Sequence, residues 1–108
     1  MIARLWRGST AGDKANDYVA HLQQTVLPEL CRIEGYGGAY ILRRDVQGGV
    51  EFAIMTLWES LDAIRKFAGH DAETAVIAPA ARALLRSFNS TATHYEVVPN
   101  LEPQAHSF

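Results

Sequence analysis

The chain has 108 residues, room for one domain and not for two. Its 10 Lys and Arg against 12 Asp and Glu leave a net charge of -2, which argues against a nucleic-acid binder. No apolar run is long enough to span a bilayer, MIARLWRG lacks a signal-type core, and the single Cys31 forms no internal disulfide, all of which suits a reducing cytoplasm.

Ile2 to Arg7 is predicted as a short strand whose faces both mix apolar and cationic side chains. Gly8 to Gly12 is a loop, and Asp13 is placed to cap the next helix. Ala15, Tyr18, Val19, Leu22, Val26 and Leu27 recur at helical spacing as one apolar stripe, with His21 at its solvated edge. Pro28 interrupts that helix, and Glu29 to Ile33 resumes as a short turn. The second strand spans Ala39 to Arg44, and a glycine-containing hairpin loop follows over Asp45 to Gly49.

The third strand, Val50 to Trp58, has little polar surface and is expected in the sheet centre, covered on both faces. Ser60 is an N-cap and Gly69 a stop for a helix carrying Leu61, Ile64, Phe67 and Ala68 on one face. Asp71 caps a second helical piece over Ala72 to Ile77, and Pro79 starts another through Leu85. The last strand runs from Thr91 to Val98. Residues 1–98 then form the domain and 99–108 a C-terminal tail, loose or draped on a neighbour.

This order, β-α-β-β-α-β, is that of an α+β ferredoxin-like sandwich. Its helices cover one sheet face only. Both parities of every strand hold apolar residues, so the other face needs a cover, and a second copy in an isologous homodimer is the simplest one.

Few residues offer chemistry on spacing alone. His70 beside Asp71 could act as a general base, with the carboxylate holding its tautomer; its bland alternative is an exposed loop histidine. His94 and Tyr95 point to opposite sides of the last strand. Arg4 and Arg7 oppose one another in the first, and whichever is buried needs a carboxylate, a carbonyl or an anionic ligand. Cys31 reads as a small apolar residue, no spacing indicates a metal site, and no phosphate-binding loop is present.

MIARLWRG, the apolar strand ending in LWES, the helix with AIRKFAG and the final HYEVV strand resemble the antibiotic-biosynthesis-monooxygenase family up to about Val98. The resemblance implies a dimeric α/β barrel, in which two ferredoxin-like protomers join their sheets. It also implies oxidation of a small aromatic, quinol or polyketide-type compound by molecular oxygen, with no cofactor and no metal. Trp58 matches the family's tryptophan and is read as a core aromatic at a strand end or as a pocket wall, with His70 as candidate base and Arg7 as a candidate anion or carbonyl anchor. Anthrone-oxidising members place Asn and Tyr where this chain has Ile54 and Ile64. Haem-degrading members place Asn, Trp and an axial His where it has Arg7, Phe67 and Ile77, which speaks against haem degradation. Two readings therefore stand: a cofactor-independent oxygenase, and a non-catalytic dimeric barrel that binds a ligand or serves as a stress or accessory protein.

Overall fold

The structure, a computed structural model, describes residues 1–99; the tail reading falls almost wholly outside them. Strand β1 (Ile2–Thr10) is the axis of an antiparallel sheet. On one side it pairs with β3 (Gly49–Trp58), which pairs in turn with β2 (Tyr36–Val46). On the other it takes β4 (Leu85–Phe88) and β5 (Thr93–Glu96). The order is that of a ferredoxin-like α+β fold, with the final edge strand in two pieces.

The strands are longer than their composition suggests. β1 continues through Gly8, Ser9 and Thr10 because each has a partner in β3, at Phe52, Glu51 and Val50. Backbone pairing thus overrides the loop preference of Gly-Ser-Thr. β2 and β3 meet in a two-residue turn at Gln47-Gly48, where Gly48 takes φ +80°.

The first helix is also longer than expected. A 3₁₀ turn (Gly12–Lys14) leads into α1 (Ala15–His21), a π-helical stretch (Leu22–Val26) and α2 (Leu27–Leu30) without a break. Asp13 lies inside the turn, and the capping position, Ala11, makes no side-chain bond. Pro28 does not end the helix, because it sits in the first turn of α2 after the wide π turn. There its missing N–H costs little. Ser60 and Gly69 bound α3 (Leu61–Ala68) as expected: Ser60 Oγ accepts from Ala63 N at 3.1 Å, and Gly69 has φ +89°.

Between Asp71 and Ala78 no helix forms. Asp71 Oδ1 accepts from Glu73 N to make a local turn, and the chain then lies along the edge of the sheet. Ala92 N donates to Glu73 O and Ala75 N to Ser90 O, so residues 73–75 pair with residues 90–92. α4 (Pro79–Leu84) follows and turns directly into β4 at Leu85.

Register sorts the side chains. Phe52, Ile54, Thr56 and Trp58 of β3 stand on the same face as Arg4 and Trp6 of β1, beneath the helices. Two apolar clusters lie there, one around Trp6, Tyr18, Leu22 and Phe52, the other around Leu30, Trp58, Ala63 and Ile64. The opposite face carries Leu5, Met55, Leu57, Tyr40, Leu42 and Tyr95 with no helix over it. β3 is therefore central but covered on one side only in this chain; Tyr40, Leu42 and Tyr95 are each at least half exposed.

Candidate functional site

A cavity of about 70 Å³ opens where the two apolar clusters meet. Its floor is the sheet, through Arg4, Trp6, Ile54 and Thr56. Tyr18, His21 and Leu22 enter from α1 and the π turn, and Phe67 from α3. Val76, Ile77 and Ala78 close the remaining side, with Val76 half exposed at the rim. The π turn bears on this wall directly, since Leu22 and Val26 are its first and last residues. Single wide turns of this kind recur at functional sites.

Arg4 is the unusual group. It is 5% exposed, and no carboxylate among the described residues pairs with it. Its Nη2 donates to Thr74 O at 2.7 Å, and its guanidinium carbon lies 5.4 Å from the Phe67 ring centroid. Its Nε is enclosed and has no hydrogen-bond partner among the described residues. Burial lowers the guanidinium from its usual value, but an arginine keeps its proton in proteins. Buried polar groups are normally paired, so an unpartnered N–H on a buried cation asks for an acceptor.

Two histidines near the site share this property. His21 lines the cavity, and its Nε2 is buried without a partner. His94 stands opposite Arg4 on β5, on the helix-covered side, and its Nε2 is likewise unpartnered. Burial, then the nearby Arg4 charge, lowers His94 below the usual imidazole range, while Glu73 acts the other way. Tyr18 is buried, which pushes its phenol up and keeps it protonated.

The three residues singled out from the sequence do not converge. Trp58 is fully buried beside the cavity rather than on its wall. Its Nε1 donates to Thr56 Oγ1 at 2.8 Å, and its ring meets Tyr36 edge-on and stacks on Phe67. His70 is exposed beyond α3, where its carbonyl accepts from Arg65 Nε. Arg7 faces away from the cavity, exposed on the uncovered face near Glu51. The helices cover the face that bears Arg4, which gives it the inward position. The alternation of β1 showed that one arginine must be buried but not which. His21 reads from the sequence as the solvated edge of the stripe, whereas the structure places it on the cavity wall.

Ile54, Phe67 and Ile77 all line the cavity. Of the five positions that the resemblance aligned with polar or haem-handling groups, these three reach the cavity and are apolar, while Arg7 and Ile64 lie outside it. A porphyrin is several times larger than the space, and Ile77 offers iron no ligand. Among the described residues no group of three or more His, Cys, Asp or Glu side chains is placed to hold a metal ion. Nor is any helix among them long and apolar enough to cross a membrane.

No family model matches the chain, and no curated protein matches it in sequence. Solved structures do match its fold. SnoaB, a cofactor-independent oxygenase from Streptomyces nogalater solved as an Asn-to-Ala variant, aligns with a TM-score of 0.67 at 18% identity, over 94% of this chain and 97% of that one. A protein from Bacillus cereus described as a candidate antibiotic biosynthesis monooxygenase aligns at 0.65 and 16%, over 94% and 97%. The ActVA-Orf6 monooxygenase of Streptomyces coelicolor, in complex with nanaomycin D, aligns at 0.61 and 13%, over 95% and 92%. This chain has the fold of the antibiotic-biosynthesis-monooxygenase-type proteins.

Proposed function

We propose that the protein is a cofactor-independent monooxygenase acting on a small aromatic, quinol or polyketide-type compound. The observation that carries this reading is the cavity itself, an apolar chamber holding a buried, incompletely satisfied Arg4 and a buried His21 nitrogen. Apolar walls with a few convergent polar groups are what an aromatic substrate and its ionisation require.

In this reading the imidazole of His21 takes the substrate's acidic proton, and Arg4 stabilises the resulting oxyanion. The anion passes one electron to molecular oxygen, giving superoxide and a substrate radical. These combine to form one carbon–oxygen bond, and the peroxide takes the proton back from His21. Cleavage of the O–O bond, with loss of the remaining C–H proton, leaves a carbonyl and releases water. One oxygen atom enters the product and the other becomes water, so a hydroquinone would yield a hydroxyquinone.

His70 and Arg7 remain the alternative base and anchor, and substitution separates the pairs. Oxygen uptake should fall by about 10²–10⁴-fold in His21→Ala and stay near wild type in His70→Ala, if His21 is the base. The reverse pattern would return the role to His70. No uptake on any quinol or anthrone by the wild-type chain would remove the oxygenase reading.

The second reading, a non-catalytic ligand-binding protein, draws on Ile54 and Ile64, apolar where anthrone-oxidising relatives carry polar side chains. It expects ligand binding without oxygen uptake. Either reading includes a homodimer formed through the uncovered sheet face. Leu5, Met55, Leu57, Tyr40, Leu42 and Tyr95 support it, because an apolar surface of that extent is rarely left in water. A monomer by light scattering at micromolar concentration would count against it.

A further inference from the structure

The oxygenase reading leaves the size and charge of the substrate open. We propose that the cavity takes a single-ring phenol or hydroquinone as its anion, seated with one ring oxygen against the guanidinium of Arg4. The inference narrows the site proposed above and rests on its being a ligand site, not on its chemistry.

Three observations carry it. The first is the hydrogen-bond inventory of Arg4. Nη2 donates to Thr74 O and one face of the group lies over Phe67, while among the described residues Nε has nothing to donate to and no hydrogen bond or carboxylate engages Nη1. The missing partner is an acceptor, and beside a buried cation with no carboxylate it is best an anionic oxygen.

The second is the rest of the wall. Trp6, Leu22, Val26, Ile54, Phe67 and Ile77 surround the space with aromatic and branched aliphatic groups, so beyond its oxygen the ligand is apolar. A carboxylate on a flexible polar chain would leave its other polar groups unpaired there.

The third is volume. A cavity of about 150 Å³ holds benzene, and this one measures about 70 Å³. The sheet floor and the α3 wall are fixed by packing, since Trp6 donates to Asn89 O at 2.7 Å and Phe67 stacks on Trp58. Give is available on the side of Val76, Ile77 and Ala78, an extended segment with no helix or strand of its own. On this proposal that segment yields to admit one ring, the smallest enlargement that any aromatic ligand demands.

The test uses 4-nitrophenol, a single ring whose colour reports its phenolate form and which is not an oxygenase substrate. Spectral titration against the intact wild-type protein should show saturable binding, an apparent pKa of the bound phenol below that of the free compound, and competition by hydroquinone. Trp6 fluorescence offers a second readout, since its ring lines the cavity. Arg4→Met should lose affinity at least tenfold and lose the downward pKa shift, and Arg4→Lys should keep part of both. Should Arg4→Met fail to fold, the wild-type pKa shift and the Arg4→Lys titration decide alone.

Unchanged affinity in Arg4→Met, a raised bound pKa, or tighter binding of a dihydroxyanthrone than of 4-nitrophenol would overturn the proposal. Its failure is separable from that of the oxygenase reading. Oxygen uptake with an anthrone but no binding of 4-nitrophenol removes the single-ring ligand and leaves the oxygenase. Binding of 4-nitrophenol through Arg4 without uptake on any quinol does the opposite.

Discussion

The two halves of the helix-covered sheet face are built from similar residues and differ in how completely they are satisfied. Around Trp58 every demand is met: the indole donates to Thr56, Tyr36 meets it edge-on, Phe67 stacks on it and no surface remains. Around Arg4, one strand away, a guanidinium N–H and a histidine nitrogen are sealed in without partners beside an open space. Each half has one tryptophan from the sheet and one side of Phe67. The first half is arranged for stability. The second holds polar groups at a cost, which the ligand site proposed above would explain.

Substitution at the two centres should separate these roles. Trp58→Ala empties the closed half, and a buried tryptophan lost to a cavity costs about 3–5 kcal/mol, read from the urea midpoint. If Trp58 were instead a pocket wall, the same change would chiefly raise KM and leave the midpoint near wild type. Arg4→Met should do nearly the reverse. Removing a buried cation without a counter-charge in favour of an apolar side chain of similar length is expected to shift stability by no more than about 1 kcal/mol. A large loss of stability in that variant would mean that the bond from Nη2 to Thr74 O, which ties the 73–75 segment to the sheet, outweighs the desolvation of the charge.

A smaller effect is expected where the halves share a support. α3 supplies Phe67 to both, and its start depends on the bond from Ala63 N to Ser60 Oγ. Ser60→Ala should cost about 1 kcal/mol in unfolding experiments, with oxygen uptake or ligand binding altered less than in Arg4→Met.

The same contrast explains what the sequence made legible. Elements announced by local chemistry were readable: the cap and stop of α3 at Ser60 and Gly69, the apolar stripe of α1, the turn at Gly48. The β-α-β-β-α-β order followed from these. What depended on tertiary partners was not readable. Gly8 to Thr10 are strand because β3 lies beside them, and Leu85 to Phe88 are strand because β1 does. Between the pairs Gly8–Phe88 and Leu5–Thr93 the edge carries two more residues than β1, and nothing local in Asn89 to Ala92 marks that bulge. The site suffered most. Trp58 and His70 are conspicuous by type and neighbourhood, whereas Arg4 and His21 matter through where their side chains end. Parity narrowed the inward cation to Arg4 or Arg7, and only the covering helices decide between them.

The finest test of the comparison is His94, the group on the edge of the unsatisfied half. It faces Arg4 across the strand pair and Glu73 from the adjoining segment. Burial and Arg4 together hold its folded-state pKa below the usual value, with Glu73 opposing them weakly. A lowered folded pKa means that the unfolded chain binds the proton more readily. The contribution of His94 is therefore fully present above the unfolded value of about 6.5 and is lost as pH falls from there through the folded value. Urea midpoints measured near pH 7.5 and near pH 5.5 should differ more for wild type than for His94→Asn, the other histidines contributing equally to both. Combining it with Arg4→Met assigns the cause. If the Arg4 charge lowers His94, the acid sensitivity that His94 confers should shrink once the arginine is gone; if desolvation alone is responsible, it should persist unchanged.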